Sequence, residues 1–186
     1  MADEKVPGER FCLYDTAALA AVLDRMAREA FPLLAGAEEP LLLGILRRGA
    51  PLAEMLQARL KANHGCDVPR YAMKLKRYGD DLTLLHADTQ LTENAEFAAR
   101  DLSRATVLMV DDVLYQGHSL ARLQAYLTGR GAPVIRAAVL ADRCCAVLPM
   151  KADIVGVHLE VAPSDVVECN VPPYESEFRI EVLRPA

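Results

Sequence analysis

The sequence has no tryptophan, and aromatic residues make up only 5% of its 186 positions. It also lacks any apolar run approaching the roughly eighteen residues a membrane-spanning helix needs. Its longest apolar runs, such as 40–46, are the size of strands. The first ten residues are charged and contain no apolar core of a secretory signal, so the cytoplasm is the expected location. A basic excess is missing too: 21 Lys and Arg stand against 26 Asp and Glu, a net charge of −5. That balance gives no general field for nucleic acid, although a local basic cluster can still hold an anion. The five cysteines form no CxxC pair and the four histidines no HxxxH pair, so ligand spacing signals no structural zinc. The cysteines read as reduced, mostly structural thiols. GxxxxGK and GxSxG are absent, which removes the Walker phosphate loop and the hydrolase nucleophile elbow. Gly129-Arg-Gly131 partly mimics a dinucleotide fingerprint but follows a helix pattern rather than a strand.

What is present alternates between strand and helix. Asp15 or Thr16 can cap a helix whose apolar positions Leu19, Val22, Leu23, Met26, Ala30 and Leu33 recur at helical spacing. Residues 40–46 read as a strand buried on both faces, and Pro51 suits the first turn of a helix over 51–61. Further strands are expected at 68–78, 106–110, 133–141 and 153–158, with a helix over 118–128 stopped by Gly129 and Gly131. Residues 79–104 carry little periodicity and read as a long loop with a short hairpin, the length of a functional lid. Residues 166–171 and 178–183 suit a terminal β hairpin. The expected fold is α/β: one domain over 1–186, a mostly parallel central sheet flanked by helices, and a small β hood.

The most informative stretch is Val107-Leu-Met-Val-Asp-Asp-Val-Leu-Tyr-Gln-Gly-His-Ser-Leu120. An apolar strand ends in Asp111 and Asp112, a short turn follows, and a helix begins near His118 or Ser119. In open α/β sheets, ligands bind beyond the carboxyl ends of the strands. Gly117 permits close backbone approach, and the helix N-terminus with the Ser119 hydroxyl suits a phosphate. Two carboxylates beside that cradle make sense where sugar hydroxyls or a magnesium ion intervene. Taken alone, the same residues also suit a solvated turn.

The stretch resembles the signature for phosphoribosyl diphosphate (PRPP) of type I phosphoribosyltransferases, and Asp-Asp-Val-Leu-Tyr is similar to their PyrR-type branch. Residues 43–53, with Arg47, Arg48 and Gly49, resemble the family's pyrophosphate loop. Residues 75–82 resemble the start of its flexible loop, and 139–143, 148–149 and 152–156 parallel the PyrR-type sequence further on. The resemblance covers about 41–156.

It implies that Arg48 and Arg47, with the Gly49 backbone, hold diphosphate together with Mg2+. Asp111 and Asp112 would hold ribose hydroxyls, directly or through the metal. Lys76, Arg77 and Tyr78 would root a closing lid, and Gln116, Gly117, His118 and Ser119 would form the phosphate turn. Tyr115 stands where purine-specific members carry an acid, which resembles the pyrimidine branch. Asp142 and Arg143 either line a base pocket or form a structural ion pair. His64, His86 and His158 are read without a catalytic task.

The implied activity is transfer of phosphoribosyl from PRPP to a nucleobase, uracil first, giving a nucleoside monophosphate. The alternatives are a PyrR-like, RNA-binding nucleotide sensor and a hypoxanthine/guanine transferase. The chain departs from the family pattern at Gln116, His118, Ser119, Gly79 and Cys144-Cys145. Its apolar content also suits a homo-oligomer.

Overall fold

The computed structural model describes residues 7–75, 91–93 and 95–186. Lys76, Arg77, Tyr78 and Gly79 therefore lie outside the described residues. In chain order the elements are β1 (Gly8–Tyr14), α1 (Thr16–Leu34), β2 (Glu39–Leu46), α2 (Gly49–His64), β3 (Arg70–Leu75), β4 (Leu91–Glu93) and α3 (Ala95–Ala99). They continue with β5 (Ala105–Leu114), α4 (His118–Gly129), β6 (Val134–Asp142), β7 (Ile154–His158), β8 (Val166–Asn170) and β9 (Arg179–Pro185).

The central sheet runs β4-β3-β2-β5-β6-β7. Strands β3, β2, β5, β6 and β7 are parallel, and only the edge strand β4 is antiparallel. Continuous apolar runs are what such a sheet requires, because helices cover both faces. Along β2, Leu42 enters one core while Leu41, Leu43 and Ile45 enter the other. In β5, Leu108 and Val110 face the first core, and Val107 and Met109 the second. Helices α1 and α2 fill the first core through Leu19, Leu23, Met26, Leu52 and Leu56. Helices α3 and α4 close the second with Phe97, Leu120, Leu123 and Leu127.

The helix signals sit where expected. Asp15 caps α1 by accepting the Ala18 N–H at 2.9 Å. Helix α2 begins two residues before Pro51, which still lies in the first turn, where a missing N–H costs nothing. It ends on Gly65 at φ 64°. Strand β5 is longer than its apolar run implies: it continues through Asp111 and Asp112, in register with Val139 at Asp111. The described part of the expected long loop is ordered, since Leu91–Glu93 pairs with β3 and Ala95–Ala99 is helical.

The second sheet is antiparallel, in the order β1-β9-β8. Its hairpin β8–β9 was expected, but β1 was not. β1 is an edge strand with little burial, so it lacks the apolar run that marks the others. Arg10 on β1 reaches past β9 to fork Glu168 on β8 at 2.9 and 3.2 Å. Val167, Cys169, Ile180 and Val182 pack this sheet onto the α1–α2 core.

Two glycines set how closely the β2–α2 unit folds onto itself and onto the sheet. A Cβ on Gly44 would lie 2.5 Å from the Ala50 Cα, and one on Gly49 would lie 2.3 Å from the Val110 carbonyl oxygen. Both obstacles are backbone, which cannot rotate away. Gly44→Ala is expected to cost about 2–3 kcal/mol in urea denaturation. Gly36→Ala, with nothing within 4 Å of its Cβ, is expected to stay within about 0.5 kcal/mol of wild type.

Candidate active site

At the carboxyl ends of β2, β3 and β5 lies a cavity of about 790 Å³. Its floor carries Asp111 and Asp112 from β5. Arg47 and Arg48 enter from the β2–α2 turn, Lys74 from β3 and Ser119 from α4. Tyr115 and Arg143 form one wall, and Asp165, Val166, Val167 and Tyr174, from β8 and the turns beside it, add to the lining.

The two carboxylates differ in setting. Asp111 is buried and Asp112 half-buried. The Asp112 N–H donates to Asp111 Oδ1 at 2.9 Å, and the Val113 N–H donates to Asp112 Oδ1 at the same distance. Each bond fixes a carboxylate against the extended backbone. Beyond them Gly117 adopts φ 89°, and its bare Cα faces Met150, 3.1 Å from where a Cβ would sit. That conformation turns the chain into α4, whose first-turn Ser119 is buried at the cavity edge. Helix N-termini present backbone N–H groups and positive partial charge, so this edge suits an anion.

Gly49 places the start of α2 directly against β5, and Arg48 just before it is carried into the field of Asp112. Its guanidinium is forked by Glu175: Nε donates to Oε1 at 3.1 Å and Nη2 donates to the same oxygen. Glu175 Oε2 also accepts the Val171 N–H at 2.8 Å. These bonds hold the arginine above its ordinary value. Desolvation pushes the Glu175 carboxyl up, but the Arg48 hydrogen bond, the Val171 amide and both arginine charges outweigh it, so the group sits below its usual range. Arg47 lies 5.1 Å over the Tyr174 ring, within cation–π reach.

Arg143 stacks 4.8 Å over Tyr115 and donates to the Ala162 and Pro163 carbonyls at 3.1 and 3.4 Å. Asp142 takes a different direction and is not among the cavity-lining residues. Its Oδ1 accepts the Cys144 N–H at 2.8 Å, and its Oδ2 lies 3.9 Å from His158 Nδ1. Asp142 and Arg143, expected to line a base pocket or form a structural ion pair, thus point to different surroundings: Arg143 lines the cavity, and Asp142 lies against the turn beside it and His158. Gly49, Gln116, Gly117 and His118 shape the backbone around the cavity without lining it.

The structure adds Lys74, Tyr174 and Glu175, which the sequence did not indicate. Lys74 follows the strand alternation of β3 and was legible in principle. Tyr174 and Glu175 follow Pro172-Pro173, in a segment without periodicity, and only the tertiary fold brings them to Arg47 and Arg48.

Comparison with known proteins agrees with this architecture. Residues 12–177 match the phosphoribosyl transferase domain family. The chain is 39% identical over 150 residues to the bifunctional protein PyrR of Deinococcus deserti, covering 80% of this chain and 81% of that one. It is 34% identical over 166 residues to the PyrR protein of Pelotomaculum thermopropionicum, covering 88% and 90%. Hypoxanthine phosphoribosyltransferase from Trypanosoma cruzi superposes with a TM-score of 0.75 at 18% identity, over 96% of this chain and 92% of that one. The Staphylococcus aureus enzyme of that name gives 0.69 at 16%, over 84% and 80%. At such identities the two structures speak for the fold alone, while the sequence relatives carry the assignment further: the chain belongs to the type I phosphoribosyltransferase family, on its PyrR-like side.

Proposed function

We propose that the protein transfers the phosphoribosyl group of PRPP to a nucleobase, uracil first, and releases diphosphate. The observation that carries this reading is one cavity in which the Asp111 and Asp112 carboxylates share a floor with the Arg47 and Arg48 guanidinium groups. The anomeric carbon of PRPP develops positive charge as its bond to diphosphate breaks. The protein's tasks are to position both reactants and to stabilise the leaving group. Arg48 and Arg47 hold diphosphate oxygens, Asp111 and Asp112 hold the ribose hydroxyls, and Ser119 with the α4 N-terminus holds the 5′-phosphate. The Tyr115 ring, backed by Arg143, offers a flat face for the base.

The oxygen donors of Asp111 and Asp112 fit a hard cation such as Mg2+, directly or through its water shell. When bound, Mg2+ would offset diphosphate charge. Uracil leads because the sequence relatives are PyrR proteins and because Tyr115 takes the place of a purine-type acid.

Incubation with PRPP, Mg2+ and a panel of bases should release diphosphate fastest with uracil. Nucleotide binding without diphosphate release for any base would replace the enzyme reading with that of a nucleotide-sensing module. Salt-dependent capture of a pyrimidine-gene mRNA leader would mark that module as an RNA-binding regulator.

The double variant Asp111→Asn with Asp112→Asn keeps the side-chain volumes. It is expected to lower turnover by at least about two orders of magnitude while the far-ultraviolet circular dichroism stays unchanged. Retained turnover in a folded double variant would move the chemistry elsewhere.

Glu175 competes with diphosphate for Arg48. Glu175→Gln is therefore expected to lower the KM for PRPP by about fivefold, the equivalent of a part-exposed ion pair worth about 1 kcal/mol. The same pair ties stability to pH. Because the folded carboxyl lies below its ordinary value of 4.5, its contribution is complete above that pH and is lost as pH falls through the lowered folded value. The stability gap between wild type and Glu175→Gln should be open at neutral pH in urea titrations and close in acid. A gap that widens in acid would contradict the pairing.

A further inference from the structure

Beside the cavity, the ends of β6 and β7 gather three side chains that the proposed chemistry leaves unused. The two strands are parallel with Asp142 opposite His158, and the turn after β6 brings Cys144 back over both. Cys144 Sγ lies 3.7 Å from His158 Nδ1, and that nitrogen lies 3.9 Å from Asp142 Oδ2. One donor atom from each of the three residues falls within 4.8 Å of the others.

We propose that Asp142, Cys144 and His158 form a binding site for a borderline-soft divalent cation of the zinc class, with a fourth position open to water. Tetrahedral zinc, with Zn–S of about 2.3 Å and Zn–N or Zn–O of about 2.0–2.1 Å, sets its ligands roughly 3.3–3.6 Å apart. The separations of 3.7 and 3.9 Å to His158 Nδ1 exceed that by a few tenths of an ångström, and all three donors lie within 4.8 Å of one another. A carboxylate, an imidazole and a thiolate are a zinc-type set, whereas magnesium asks for oxygen alone.

The local field favours a cation as well. Asp142 and Glu160 place negative charge beside Cys144, whose thiol must give up its proton on ligation. Metal entry releases that proton to solvent as the metal–sulfur bond forms. The Cys144 N–H bond to Asp142 Oδ1 holds the carboxylate in place, as an outer-shell donor does in known sites. Because the donors come from two strands and a turn, no short spacing in the sequence announces them.

The site does not depend on phosphoribosyl transfer. It would pin the turn that carries Arg143 onto Tyr115, whatever ligand the cavity takes. Cys145, by contrast, directs its thiol to the Tyr115 carbonyl at 3.9 Å and is not part of the set.

Full-length protein stripped with chelator and titrated with Co2+ is expected to bind one equivalent and to develop thiolate-to-cobalt charge-transfer absorption that Zn2+ abolishes. Cys144→Ser should lose that absorption, and His158→Ala should weaken binding by about a hundredfold. Cys145→Ser should leave it intact. All three variants alter exposed side chains, and alkylation of the wild type gives a check free of mutation: one equivalent of Zn2+ should protect Cys144 from iodoacetamide in peptide mapping. Absence of the absorption in wild type, its persistence in Cys144→Ser, or unprotected Cys144 would each overturn the site.

Discussion

The closeness of the α2 start to the sheet governs the geometry of everything above it. Gly44 lets the β2–α2 turn fold back tightly, and Gly49 sets the first residue of α2 against the Val110 carbonyl. Without that approach Arg47 and Arg48 would stand away from the end of β5, and Asp111 and Asp112 would lose two of the four cationic side chains that share their cavity among the described residues. The parallel register of β2 and β5, with Gly44 opposite Val110, fixes the same relation along the strand direction. The site is thus a consequence of backbone contact, which side-chain changes elsewhere would not easily move.

The small antiparallel sheet is coupled to that arrangement by charge. Glu175, in the segment between β8 and β9, holds Arg48, and Tyr174 lies under Arg47. Both arginines are therefore ordered before any ligand arrives, which lowers the entropy lost on binding. The arrangement also sets a threshold: an incoming anion has to match a carboxylate already in place.

The sequence made legible those features that rest on local chemistry. Strands buried on both faces announce themselves as apolar runs, and Asp111-Asp112 before Gly117 announces a strand-end site. Features that depend on distant pairing stayed silent. β1 is an exposed edge strand without an apolar run, while Tyr174 and Glu175 reach the arginines only because the second sheet packs on the first core. Asp142 and Arg143 are adjacent in sequence, yet strand alternation at the end of β6 sends one toward Cys144 and the other toward Tyr115. Periodicity set the pair at the end of the strand but could not say which neighbour each would find.

Taken alone, a net charge of −5 disfavours the polyanion proposed as ligand, but the balance that matters is local. Charges beyond about 8–10 Å are largely screened at physiological salt, so the lining decides. Among the described lining residues, Arg47, Arg48, Lys74 and Arg143 face Asp111, Asp112 and Asp165, the last of which lies 3.8 Å from Arg184. With Glu175 on Arg48, the described lining is close to neutral. A bare diphosphate would gain little attraction there and would meet two carboxylates. An anion that arrives with its own divalent cation reverses that balance, since the cation can face Asp111 and Asp112 while the phosphates face the arginines. The near-neutrality of the described lining thus fits the proposed metal-accompanied ligand better than a free polyanion.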